Sequence, residues 1–190
     1  MNWVRNRFKE MNAAKHELAQ FTEKEIERVH HFHASMPGYE PTPLYVLADL
    51  SQSIGVGGIY VKDESKRFGL KGLGGSFAMA SYFSKKFSLD VQTTNFPQLM
   101  EHVKALPVST FATVTAGNHG RGVAWAAGLF RQRAKVYMQK GTSRERLKAI
   151  RELGAEAYIS NDHYDDTVQQ VAQMAAENHW VLMQDSLGRL

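Results

Sequence analysis

Between Thr110 and Met183 four short apolar runs alternate with three helical segments, and this alternation most narrows the folds open to the chain. The runs are Thr110–Val114, 135–138, 157–159 and Val181–Met183. The first is β-branched and apolar throughout, as a buried strand requires. Between them, 120–130 reads as a helix packed through small residues. Ser143 caps a helix that runs to Leu153, with Gly154 just past its end, and 165–178 reads as a third helix. Strand and helix in strict succession predict an α/β fold, a parallel sheet with helices on both faces. In such sheets ligands sit beyond the carboxyl ends of the strands. A further strand at 59–61 and a helix at 76–87 extend the pattern, so the loops after Val61, Val114, Met138 and Met183 are where chemistry is expected.

Ahead of this region the pattern is helical from about Glu10 to Phe32, with Leu18, Phe21, Ile26 and Val29 on one stripe. Pro37, Pro41 and Pro43 then enforce an extended stretch. Residues 44–54 read as a short helix ending at Gly55, and 88–107 as a polar connection around another short helix.

The chain has 190 residues, enough for a real hydrophobic core, and its 43% hydrophobic and 22% charged content is that of an ordinary globular protein. Cysteine is absent, which removes thiol nucleophiles, disulfides and zinc ribbons. No apolar run is long enough to cross a bilayer, and the start lacks the apolar core of a signal peptide. A cytoplasmic location is expected. The formal charge of +4 is dispersed among acidic residues, without the basic stripe that nucleic acid would need.

Two loops hold the candidate chemistry. The loop after Val61 runs Lys62-Asp63-Glu64-Ser65-Lys66-Arg67-Phe68-Gly69-Leu70-Lys71-Gly72-Leu73-Gly74-Gly75-Ser76. A lysine in a glycine-rich stretch before a helix can belong to a phosphate cradle, serve as a Schiff-base lysine, or face solvent. The P-loop spacing is not met. The loop after Val114 runs Thr115-Ala116-Gly117-Asn118-His119-Gly120-Arg121-Gly122 and leads into Val123-Ala124-Trp125-Ala126-Ala127. It offers backbone N–H groups to a carboxylate and a side-chain amide to a phenolic oxygen. A plain capped turn explains any one of these residues, but not the histidine with two further glycines.

Taken together, the blocks at 62–70, 71–78 and 117–127 resemble the diaminopropionate ammonia-lyases. So do Gly38-Tyr39-x-Pro41-Thr42-Pro43-Leu44, Tyr164-Asp165-Asp166-Thr167-Val168 and Gln184-Asp185. These lyases depend on pyridoxal 5′-phosphate (PLP) and belong to the tryptophan-synthase-β-like, fold type II enzymes. The Asp-Glu-Ser and Gly-Asn-His elements mark the wider superfamily, whereas Arg67-Phe68-Gly69-Leu70 and His119-Gly120-Arg121-Gly122-Val123-Ala124-Trp125 are narrower and point to the lyase. The resemblance implies an N-terminal helical arm (1–34) followed by one family domain (35–190). That domain divides into a leading segment with the lysine loop (about 35–85) and a small α/β subdomain (about 86–190).

It also implies roles. Lys71 would form the Schiff base with PLP and remove the substrate's Cα proton, and Asn118 would hydrogen-bond the cofactor's 3′-oxygen. Thr115, Gly117 and His119 would line the substrate carboxylate pocket, and Asp185 would assist proton transfer or hold the β-amino group. The implied reaction converts 2,3-diaminopropionate to pyruvate and ammonia, with a homodimer at full length. No metal is expected: in His30-His31-x-His33, His30 and His33 sit on a polar helix end with no third ligand nearby.

Three departures accompany the match. The family has three more residues between Phe-Gly-Leu and its lysine, which here follows Leu70 directly. Ala116 stands where the family carries an acid proposed as the base for the D-isomer. The family's glycine-rich phosphate loop and its partner for the pyridine nitrogen have no counterpart in these residues. The resemblance is therefore to a truncated, incomplete N-terminal half, expected to be weak or inactive alone. The rival expectations are a threonine-dehydratase-like or threonine-synthase-like activity and a non-catalytic or subunit-interaction chain.

Overall fold

The computed structural model describes residues 22–70, 73–90, 94–115 and 117–184. Helix α1 (Glu23–Ala34) starts where Thr22 accepts the Glu25 N–H, and ends with His31 and His33 in its last turn. A two-stranded antiparallel ribbon follows, β1 (Leu44–Val46) with β2 (Tyr60–Lys62), bridged by helix α2 (Ala48–Ile54). A 3₁₀ turn at Glu64–Lys66 leads towards helix α3 (Gly74–Lys86). Helix α4 (Phe96–Val103) carries a full capping box, Asn95 and Gln98 each bonding the other's backbone N–H.

The remainder is the alternating unit: β3 (Thr110–Val114), α5 (Asn118–Leu129), β4 (Arg133–Met138), α6 (Arg144–Arg151), β5 (Glu156–Ile159), α7 (Tyr164–Glu177) and β6 (Val181–Leu182). The four strands form one parallel sheet in the order β5-β4-β3-β6. Strand pleating divides it cleanly. Phe111, Val136, Met138 and Ala157 point into the main core with α3, α5 and α6, where Phe83, Phe111 and Phe130 meet edge-on or tilted. Ala112 and Val114 point the other way and pack with Val171 of α7. Helices thus cover both faces, as the alternation predicts.

Two expectations are corrected. Residues 44–54 are not one helix. Leu44–Val46 pairs with β2 as a strand, and the helix begins only after Leu47, whose N–H donates to the Ile59 carbonyl. The strand at β2 also lies outside the parallel sheet. Its following loop therefore reaches the sheet's carboxyl edge by a different route.

Candidate active site

The turn after β3 places Thr115, Gly117, Asn118 and His119 at the carboxyl edge of the sheet. The Thr115 N–H donates to the Tyr137 carbonyl, extending the β3–β4 ladder, and the Thr115 hydroxyl accepts the Gly117 N–H at 3.1 Å. Gly117 caps α5 without a side-chain bond, and the helix start brings the positive end of its dipole to this turn. Asn118 is exposed at the first helical position. His119 is half-buried, with Nε2 3.4 Å from the carbonyl of Met183, whose own N–H donates to Ala112 of β3. The histidine therefore joins the turn after β3 to the segment after β6.

The glycines of this stretch have a packing role as well. A Cβ on Gly120 would lie 2.4 Å from Thr115 Cγ2 and 2.9 Å from Val136 Cγ1. Gly122 gives its backbone to Gly75 of α3, where a Cβ would fall 3.0 Å from the Gly122 carbonyl carbon. Close approach of α5 to β3 and β4 is thus a structural demand for Gly120, and close approach of α3 to α5 one for Gly75, correcting for Gly120 the expectation that no structural demand exists.

The lysine loop reaches the site through α5. Arg121 donates to the Gly69 carbonyl at 3.0 Å, and the Phe68 ring stacks on Trp125 with centroids 5.0 Å apart. Phe68 and Gly69 both take positive φ, 51° and 68°, a turn rare for an aromatic residue. The stack holds it there. Leu70 then enters the core, its N–H donating to the Arg67 carbonyl at 2.7 Å.

Below this turn lies a charged cluster. The Thr42 hydroxyl donates to Glu64 Oε1 at 2.7 Å, Arg67 Nε donates to Glu64 Oε2 at 2.6 Å, and Lys62 donates to the Thr42 carbonyl and hydroxyl. The bonds from Arg67 and Thr42 hold the Glu64 carboxyl down at about 2. The Arg67 guanidinium also lies 5.4 Å from the Tyr39 ring centre. The segments at 38–44, 62–70 and 117–127, distant in sequence, therefore touch in series.

On the α1 side, His33 Nε2 is 3.3 Å from the Ser76 hydroxyl, which donates to the Leu73 carbonyl. Burial pushes the His33 imidazole down to about 4. A cavity of about 670 Å³ opens there, between α1 (Arg28, His30, His33) and Arg67 and Leu73. A second cavity, about 380 Å³, lies at the sheet's carboxyl edge between Gly117, Asn118 and Arg121 of α5 and Glu145, Arg146 and Ala149 of α6. The smaller is where the topology expects a ligand.

Comparison with known proteins decides the family. The pyridoxal-phosphate dependent enzyme family matches residues 36–187. The chain belongs to that family. Diaminopropionate ammonia-lyase of Escherichia coli K12 is 46% identical over 169 residues, which cover 87% of this chain and 42% of the relative. The crystal structure of the Escherichia coli diaminopropionate ammonia-lyase in apo form superposes with a TM-score of 0.83 at 44% identity, over 90% of this chain and 47% of that one. An L-threonine ammonia-lyase of Geobacter sulfurreducens is more distant, 32% identical over 65 residues, or 34% of this chain and 16% of the relative. The chain thus spans under half the length of the diaminopropionate ammonia-lyases it matches.

The turn after β3 fits the family's cofactor and its amino-acid adducts on one side. The uncapped α5 terminus suits a carboxylate, the space beside Gly117 is open where a Cβ would stand, and Asn118 can donate to a phenolic oxygen. Of the residues expected in the site, the fold brings Thr115, Gly117, Asn118 and His119 together. Lys71, Ala116 and Asp185 lie outside the described residues. Their neighbours do not: Leu70 follows the Arg121 anchor, and Gln184 follows the Met183 contact with His119. Sequence reading gave Phe68, Arg121 and Trp125 only as family markers. Their mutual contacts joined two separate loops, a relation no local pattern encodes. No helix among the described residues is long and apolar enough to cross a membrane.

Proposed function

We propose that this chain provides the lysine loop and the carboxylate turn of a PLP-dependent ammonia-lyase that converts 2,3-diaminopropionate to pyruvate and ammonia. One observation carries the reading. The two lyase-type blocks, Arg67-Phe68-Gly69-Leu70 and Arg121 to Trp125, are bonded to each other, in a chain 46% identical to such a lyase over 169 residues.

The residues divide the work by their chemistry. The α5 N-terminus, with Thr115, Gly117 and His119, holds the substrate carboxylate, since the positive end of the helix dipole favours an anion there. Asn118 holds the cofactor's ring oxygen. Lys71 binds the cofactor covalently and takes the Cα proton, and Asp185 holds or protonates the departing amino group. The cofactor, when bound, supplies a conjugated ring that takes up the electron pair left on Cα. Ala116 cannot accept a proton, so this reading has the L-isomer as substrate. Restoring the acid with Ala116→Asp raises D-isomer turnover; an unchanged D/L ratio sinks that point. The working form we propose with it is a cytoplasmic homodimer at full length.

The test uses PLP and 2,3-diaminopropionate, with pyruvate followed by coupled reduction and L-threonine as the competing substrate. Pyruvate from the diamino acid, abolished by Lys71→Ala, supports the proposal. Borohydride after PLP should fix the cofactor on Lys71, as read by peptide mass. A cofactor fixed elsewhere, or preferential release of 2-oxobutyrate from threonine, overturns it.

A further inference from the structure

The chain on either side of residues 71 and 72 is held by two different helices. On the leading side, Leu70 is buried and follows the turn that Arg121 and Trp125 of α5 hold at Gly69 and Phe68. On the trailing side, Leu73 is buried and is the cap residue of α3. Its carbonyl accepts the Ser76 N–H at 3.0 Å and the Ser76 hydroxyl at 2.6 Å. A hydroxyl has one proton to give. Ser76 gives it to Leu73, so the His33 Nε2–H, 3.3 Å away, is the donor to the Ser76 oxygen.

Ser76 is buried, and the imidazole packs against the rings of Phe32 and Phe77, each with its centroid 6.0 Å away. Helix α1 thus reaches the first turn of α3 through one side chain, as α5 reaches the turn before it. The spacing gives these contacts their consequence. Three peptide steps join Leu70 to Leu73, and they span at most about 11 Å. With both ends fixed, so short a link has little slack, and a shift at either end passes directly to the lysine between them.

We propose that His33 is a positioning residue for the lysine loop, fixing Leu73 through Ser76 while Arg121 fixes Gly69. The proposal rests on the reading of Lys71 as the site lysine, but its test needs neither cofactor nor turnover. The whole chain is acetylated with limiting acetic anhydride, and Lys71 is read by peptide mass against Lys148, whose side chain is 79% exposed. Lys71 should react more slowly than Lys148, because a held amine meets the reagent from fewer directions. Ser76→Ala and His33→Leu should each raise the Lys71 rate about fivefold, the effect of one lost hydrogen bond, and leave Lys148 unchanged. His33→Gln keeps an N–H at similar reach and should retain the slow rate. Inserting Gly-Ser-Gly after Leu70 should free Lys71 and abolish its response to His33→Leu.

A Lys71 rate that matches Lys148 from the outset, or that ignores Ser76→Ala and His33→Leu, overturns the proposal. So does a fast rate in His33→Gln, a response to His33→Leu that survives the insertion, or a rise shared by Lys85 and Lys148, which marks general loosening. Thermal melts check the variants. Ser76→Ala keeps a good helix former in the first turn of α3 and decides the matter if His33→Leu misfolds. Pyruvate release is not the readout: a chain without turnover whose Lys71 responds in this way refutes the function and leaves the role of His33 standing.

Discussion

Arg121 donates to the Gly69 carbonyl at 3.0 Å, so one side chain of α5 holds the turn from which the lysine loop departs. Beside it, Trp125 stacks on Phe68, whose backbone is in the left-handed region. A charge-assisted bond and an aromatic pair of this kind are each worth about 1 kcal/mol when partly exposed. Arg121→Met should therefore destabilise the chain modestly and speed amide exchange at Leu70 about fivefold, while exchange in β3 stays slow. Equal acceleration in both would show that Arg121 supports the whole fold and not the turn.

The glycines between α3 and α5 set a second expectation. Gly75→Ala forces a Cβ against the Gly122 backbone, and Gly120→Ala forces one between Thr115 and Val136. Each should cost about 1–3 kcal/mol, read as a lower urea midpoint. Gly128→Ala is the contrast, because its added Cβ meets only the Leu153 carbonyl at 3.9 Å. In a helix this replacement should be neutral or stabilising by roughly 0.5–1 kcal/mol. Similar losses at all three positions would refute the packing argument.

His33 makes stability depend on pH in a defined window. The buried imidazole titrates at about 4 against an ordinary 6.5, with Arg67 and His30 opposing a second positive charge and the Leu73 carbonyl favouring it. Between these values the unfolded chain binds the extra proton, so its contribution is complete above 6.5 and falls as pH drops towards 4. The urea midpoint should decline between pH 7 and pH 5. His33→Gln should flatten that decline, and an unaltered slope would exclude His33 as its source.

Glu64 acts at lower pH. Its carboxyl titrates at about 2 instead of 4.5, so its contribution is present above 4.5 and is lost as pH falls through 2. Thr42→Val removes the hydroxyl donor and should raise the Glu64 titration midpoint, measured by carboxyl NMR. Because the Glu64 side chain is 41% exposed, added salt should weaken the effect. A midpoint indifferent to Thr42→Val would leave Arg67 and Lys62 as the causes.

The alternating strands and helices were legible because period and capping are local. Thr110–Val114 is buried on both faces and reads as apolar throughout, and Ser143 caps α6 through the Arg146 N–H. The ribbon was not legible. Residues 44–46 become a strand only by pairing with residues 60–62, and a three-residue apolar run carries no periodicity to distinguish strand from helix. The turn after β3 stood out as a motif, since Gly-Asn-His has a chemistry of its own. What a side chain at Gly75 or Gly120 would meet could not be seen until their neighbours were known.

The amino-acid sequence alone therefore determined the α/β alternation, the family and the Gly-Asn-His turn on which the proposed site rests. These depend on residue type and near-neighbour spacing. Tertiary structure alone decided that the lysine loop hangs from α5 through Arg121 and Trp125, and that Thr42, Glu64 and Arg67 brace it from below. It also decided that residues 44–46 pair with residues 60–62 as a ribbon with exposed apolar side chains. Each of these relations joins residues far apart in the chain, and the free energy that fixes them comes from packing and hydrogen bonds formed only once the chain has closed on itself.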